Sequence, residues 1–322
     1  MLGSLAAATH GVITTARARS AGITKDDLRT RVKDGFLRKA GYGCYLLDSR
    51  CDELTSAALA QAHQPAAVLA GRSAAFHYRL DGFDYDVAAP DHVIAVRPRL
   101  PSPALAVGTV DHRDITWRGG VRILRPVAAV GSLGHWTGPD EVEWALECAL
   151  RRKLATEDEF SDWLRRAAGP PAGCRSPDDP GRAALRAVMA RRGSLVPPTE
   201  SFLETLAIQR VFRPQGFAIE RQVVVRNDAG DFIGRVDFQL DGALLVEVNG
   251  LGFHAGPVAV QRDAWRALSL RLAGREVEHI TWYDVTERAE VTGRRLRARC
   301  QQVTVVAERS AAAAGRGEHV FA

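Results

Sequence analysis

Two carboxylates, Asp237 and Glu247, interrupt two short apolar runs, Val236-Asp237-Phe238-Gln239-Leu240 and Leu244-Leu245-Val246-Glu247-Val248, which meet at Asp241-Gly242. An Asp-Gly pair between such runs reads as a two-residue hairpin turn. A carboxylate inside a strand is costly to bury unless it is paired or binds a cation. Ten residues apart around a tight turn, these two can lie on one face of paired strands. With the backbone carbonyl of Val248 they form an all-oxygen donor set suited to Mg²⁺, which keeps several waters, and Mn²⁺ accepts the same donors. One chemistry that such a site can serve is phosphodiester hydrolysis, which needs an activated water and a cation to offset charge on the phosphate. Glu204 lies at the edge of the inward face made by Phe202, Leu203, Leu206 and Ala207, on a helix that Thr199 can cap, and would complete or orient the site. The plainer alternative is an exposed acidic pair beside a hairpin.

The elements that must position these groups follow from patterning. Ala218 to Arg226, Phe232 to Leu240 and Ala243 to Val248 read as an antiparallel meander. Gln261 to Ala273 reads as a helix stopped by Gly274, Glu276 to Trp282 as a fourth strand, and Glu287 to about Glu308 as a closing helix. With the Glu204 helix in front, the order is αβββαβα. His254 stands just past the third strand, where it can donate a proton to a leaving oxygen, bind phosphate, or simply bond to Asp263. Arg262 and Arg266 are one helical turn apart and suit phosphate contacts or, alternatively, ion pairs on a solvated face. Trp282-Tyr283-Asp284 reads as a structural plug at a strand end, with Asp284 capping the last helix.

At 322 residues the chain has room for two or three domains. No run is long and apolar enough for a membrane span and no leader pattern precedes the first helix, so a cytoplasmic protein is expected. Five scattered cysteines without CxxC spacing point to free thiols rather than a disulfide framework or a zinc site. The net charge is +5, and residues 1–50 hold nine Lys or Arg against four Asp or Glu, so the excess sits at the N-terminal end. That bias fits a unit that meets a polyanion, and also fits a merely solvated basic face.

Within residues 1–50, an Ala- and Leu-rich segment, a helix capped at Thr14 or Thr15 and a helix capped by Thr24 with Asp27 at its third position precede two short strands around Gly41-Tyr42-Gly43. Leu28 and Val32 should face inward with Ile23, leaving Arg29 and Lys33 outside. Three small helices and a hairpin make a winged helix-turn-helix. These residues resemble the N-terminal domain of AbiEi-type antitoxins through Gly11-Val12-Ile13, the basic helix and the Leu37-Arg38 to Gly43-Cys44-Tyr45 wing. The resemblance implies DNA binding by Arg29 and Lys33 at the groove and Arg38 and Lys39 on the wing. It also implies a toxin or other protein as partner. A winged helix can instead serve as a protein-protein module.

Residues 51–168 read as an α+β connecting domain, with Arg72-Ser73-Ala74-Ala75 and the Arg113 to Pro126 run similar to the same bacterial proteins. His77, His112 and His135 read as ordinary histidines. The Gly/Pro-rich residues 169–180 read as a linker, 181–309 as the C-terminal domain and 310–322 as a loose tail.

The C-terminal motifs resemble the PD-(D/E)xK nuclease core, and within it the group related to very-short-patch-repair endonucleases. The resemblance runs over Ser201-Phe202-Leu203-Glu204, Val236-Asp237-Phe238, Glu247-Val248-Asn249-Gly250 with His254, Arg262-Asp263-Ala264-Trp265-Arg266, Leu270-Arg271-Leu272-Ala273-Gly274 and Thr281-Trp282-Tyr283-Asp284-Val285. It implies a restriction-endonuclease-like domain in a multidomain α/β and α+β chain. It also implies Mg²⁺-dependent cleavage of DNA in defence or repair, with Glu204, Asp237, Glu247, Asn249 and His254 as site residues. Where the superfamily often has lysine, this chain has Asn249, an amide that can bind metal or phosphate but cannot act as a base. The rival from another class is an antitoxin-type regulator whose nuclease fold only binds DNA or a partner.

Overall fold

The computed structural model describes residues 1–84, 93–95, 105–107, 110–166, 179–227, 229–250, 268–271 and 273–317, of which 93, 95, 105–107 and 307–317 by backbone alone. The chain is a mixed α and β protein whose described strands form three sheets. It divides into two compact units, Met1–Ser194 and Leu195–Ala322.

The first unit opens with α1 (Leu2–Ala7), β1 (Val12–Thr14), α2 (Thr15–Ser20), α3 (Lys25–Lys33), β2 (Arg38–Lys39) and β3 (Cys44–Leu46), the strands ordered β1-β3-β2. The caps stand where the sequence puts them. Thr14 accepts from the Arg17 N–H, and Thr24 with Asp27 forms a capping box. Leu28 and Ile23 are buried in a small core with Ala6, Ile13, Ala18, Leu37 and Leu47.

Next come α4 (Thr55–His63), β4 (Val68–Leu69), α5 (Gly71–His77), β5 (Val93–Ala95), β6 (Leu105–Val107), β7 (Ile115–Arg118) and β8 (Val121–Leu124). These strands make a five-stranded sheet in the order β6-β5-β4-β8-β7. Four helices follow, α6 (Pro126–Ser132), α7 (Pro139–Arg151), α8 (Glu157–Arg165) and α9 (Pro180–Arg192). The Val127 to Val130 stretch forms part of α6, whose Ala128, Ala129 and Val130 are buried.

Helix α9 lies after the linker expected at 169–180, yet it packs with the first unit: Leu185 and Val188 are fully buried in the same core as Val130 and Leu146. Arg192 pairs with Glu147 at 3.0 Å, both side chains being almost wholly buried, and also with Glu157. The compact units divide at Ser194. Residues 167–178, most of the expected linker, lie outside the described residues.

The second unit begins with α10 (Phe202–Ala207), continued by a wider helical turn to Phe212. Its N-cap is Ser201, not the expected Thr199. Ser201 accepts from the Glu204 N–H at 3.1 Å, while Thr199 is buried with its hydroxyl 2.7 Å from that of Thr205. Then come β9 (Ile219–Arg226), β10 (Phe232–Leu240), β11 (Leu244–Asn249) and β12 (Val277–Thr281), a four-stranded sheet in the order β12-β11-β10-β9. The first three strands run antiparallel, and β12 lies parallel to β11. Between them residues 268–271 are helical, and Leu270 packs on Val225, Val236 and Leu245. Two helices close the unit, α11 (Trp282–Thr286) and α12 (Ala289–Gly317).

Three local expectations are corrected. The turn holds Asp241 and Gly242 at φ 49° and 67°, as an Asp-Gly turn requires, but Leu240 pairs with Leu244, so the loop has three residues. Asp241 is fixed in it by the Ala218 N–H at 2.8 Å and by Arg297. Asp284 forms a capping box with Thr281 at α11 and also bonds the Thr292 side chain of the last helix, while Trp282 and Tyr283 are partly exposed instead of plugging the strand end. Helix α12 runs to Gly317, past the expected end near Glu308, because the alanines from Ala311 to Ala314 favour helix.

Candidate functional site

Strand β10 alternates as its sequence requires, with Val236, Phe238 and Leu240 buried and Asp237 and Gln239 partly exposed. Its pairing with β11 covers three positions, Phe238 with Val246, Gln239 with Leu245 and Leu240 with Leu244. The next residues along are Asp237 and Glu247. There a side chain takes over from the ladder: the Val248 N–H donates to Asp237 Oδ2 at 2.9 Å. Glu247 is 7 % exposed and pairs by register with His279 of β12. The strands thus bring Asp237, Glu247 and His279 to one level of the sheet.

Glu204 reaches this level from α10. It is 4 % exposed, and its Oε2 accepts from the Glu200 N–H at 2.8 Å and from Gln222 Nε2 at 3.3 Å. Burial pushes the Glu204 carboxyl up, opposed by the Glu200 N–H and helped by the charge of Asp237, and together they leave it at about 7. Arg235 pairs with Glu200 at 2.7 Å at the rim.

Sequence reasoning missed His279, whose Nδ1 lies 3.5 Å from Glu247 Oε2 and 3.2 Å from Asn249 Nδ2. When protonated, Nδ1 donates to Glu247; when bare, it accepts from the Asn249 amide. The one available signal was a histidine beside Glu278 in the strand run Val277-Glu278-His279-Ile280, and its place opposite Glu247 depends on a parallel register that spacing does not give. Asn249 therefore stands in the site, bonded to this histidine.

Of the expected residues, Glu204, Asp237, Glu247, Val248 and Asn249 come together. His254, Arg262 and Arg266 lie outside the described residues. Among the described residues no group of three or more His, Cys, Asp or Glu forms a metal-ligand cluster. In the first unit Arg29, Lys33, Arg38 and Lys39 are all exposed. Arg29 pairs with Asp26 and Arg38 with Asp48, each at 2.9 Å. Tyr42, between β2 and β3, is 98 % exposed. His77 is buried, whereas His112 and His135 line one cavity of about 470 Å³ with Asp114, Trp163 and Arg182.

Among the described residues no helix is long and apolar enough to cross a membrane. No protein-family model matches the chain, and no curated protein matches its sequence.

Proposed function

We propose that this chain is a DNA-binding protein whose C-terminal unit is a Mg²⁺-dependent endonuclease. The observation that carries this reading is the meeting of Asp237 and Glu247 where β10 and β11 part, with Glu204 close enough for its acidity to feel Asp237. Buried or half-buried acids gathered this closely repel one another, and a divalent cation relieves that repulsion. The donor set is oxygen only, which fits Mg²⁺ and Mn²⁺. Asp237, Glu247 and the Val248 carbonyl would hold the ion, with Glu204 behind them. Bound there, the ion would offset charge on the scissile phosphate and make water more acidic.

The chain's own groups do the rest. The Val248 N–H fixes the Asp237 carboxylate. Glu204, balanced near neutral pH, can take up the proton released by an attacking water. The Asn249 amide can donate to a phosphate oxygen, and His279 can stand as a proton donor at the exposed side of the row. The order of helix, three antiparallel strands, helical residues, parallel strand and helix supports a restriction-endonuclease-like core. The order and capping of the first unit's opening elements support a winged helix that guides the chain to DNA through Arg29, Lys33, Arg38 and Lys39. A second reading, an antitoxin-type regulator with an inactive nuclease fold, is favoured by one observation: Asn249 occupies the usual lysine place and engages His279.

Incubating the purified protein with supercoiled plasmid in Mg²⁺, Mn²⁺ or chelator tests the proposal. Nicking that chelator abolishes supports it. Retained DNA binding without cleavage under every condition leaves the regulator instead.

A further inference from the structure

A fourth polar group completes the level of Asp237, Glu247 and His279. Arg221 and Val223 of β9 pair with Phe238 and Val236, so Gln222 between them stands opposite Asp237. The row across all four strands therefore reads Gln222, Asp237, Glu247, His279, whereas the row beside it contains Phe238 and Val246.

Two features set Gln222 apart. Its backbone is left-handed, at φ 54°, inside a strand, a conformation that costs a residue with a side chain energy and that clusters where function overrides local preference. Its carboxamide is also half used. Nε2 donates to Glu204 Oε2 at 3.3 Å, whereas Oε1 is buried and, among the described residues, accepts no hydrogen bond. The amide cannot profitably be turned over, because Glu204 Oε2 already accepts the Glu200 N–H and presents a lone pair to Gln222. A buried amide oxygen without a donor is rare in a folded protein and lowers its stability. It suits a group waiting for a donor that arrives with a ligand, and a hydrated divalent cation brings such donors as its bound waters.

We propose that Gln222 is a positioning residue of this site, with Nε2 fixing Glu204 and Oε1 accepting a hydrogen bond from a water of the hydrated divalent cation at Asp237 and Glu247. The inference rests on the nuclease reading for the presence of that cation. It adds a residue from β9, and it assigns the strained backbone and the unpaired oxygen to one cause.

The test measures Mn²⁺ affinity and thermal unfolding of the full chain for wild type, Gln222→Met and Gln222→Gly. Methionine matches glutamine in length without the amide, and glycine relieves the left-handed backbone. Both variants should bind Mn²⁺ about tenfold more weakly, with Tm unchanged or higher because a buried, unpaired acceptor has been removed. Equal affinity in wild type and variants overturns the proposal and leaves the nuclease reading standing. A fall in Tm that accompanies the lost affinity in both variants also overturns it, since Gln222 would then be structural. A wild type that binds no Mn²⁺ overturns the reading and this proposal together.

Discussion

Asp237 Oδ2 accepts a 2.9 Å hydrogen bond from the Val248 N–H, at the level where β10 and β11 cease to pair. The carboxylate thus closes the end of a backbone ladder as well as facing the site, and substitutions can separate the two roles. Asp237→Asn keeps an acceptor for Val248 and should leave urea stability nearly unchanged. Asp237→Ala strands the N–H and should cost about 1 to 2 kcal/mol. Equal stabilities would show that this bond contributes nothing.

The acidity of Glu204 gives stability a pH dependence with a definite sign. An ordinary glutamate loses its proton near 4.5, and in the folded protein Glu204 does so near 7. Between these values the folded state holds the proton and the unfolded state does not, so stability falls as pH rises through that window and is steady above it. The full effect is on the order of 3 kcal/mol. Glu204→Gln should flatten this slope and raise Tm at pH 8 by several degrees, while changing little near pH 4.5. Thermal unfolding from pH 4.5 to 8 measures it, and a slope that survives in the variant would place its origin elsewhere.

In the first unit, Lys33 and Lys39 form no ion pair among the described residues, whereas Arg29 and Arg38 are already engaged by Asp26 and Asp48. Replacing both lysines with alanine should weaken DNA binding more than replacing both arginines. The slope of log affinity against log salt should shrink by about two units if each lysine meets one phosphate. Fluorescence anisotropy at several salt concentrations reads this directly. An unchanged slope would point to a protein-protein role for the first unit.

The Arg192 and Glu147 pair anchors α9 to the first unit. Arg192→Ala removes a counter-charge 3.0 Å from a glutamate that is almost wholly buried, and should cost about 3 to 5 kcal/mol in the unfolding of Met1–Ser194. The double variant with Glu147→Leu should recover much of that loss. Chemical denaturation of the four proteins of the cycle tests it.

Much of the second unit was legible because its signals are local. Alternation set β10, the Asp-Gly pair set its turn, and the two carboxylates marked the level where β10 and β11 part. His279 and Gln222 were not legible, since one enters through a parallel pairing and the other through a left-handed residue within a strand, and neither leaves a periodic trace. The place of α9 was hidden for a similar reason. Its Gly/Pro-rich approach reads as a boundary, while long-range burial of Leu185, Val188 and Arg192 decides where the helix packs. In the first unit, Thr24 and Asp27 announced α3 because a capping box is a contact between near neighbours.

A hydrolytic site at Asp237 and Glu247 is tested most directly by comparing wild type with Asp237→Asn on supercoiled plasmid, in Mg²⁺ and in chelator. Wild type should nick the plasmid only with the metal, and the variant, equally folded, should be slower by about a hundredfold or more. Nicking by the variant at the wild-type rate, or no metal-dependent nicking by either protein, would contradict a hydrolytic site built on Asp237 and Glu247.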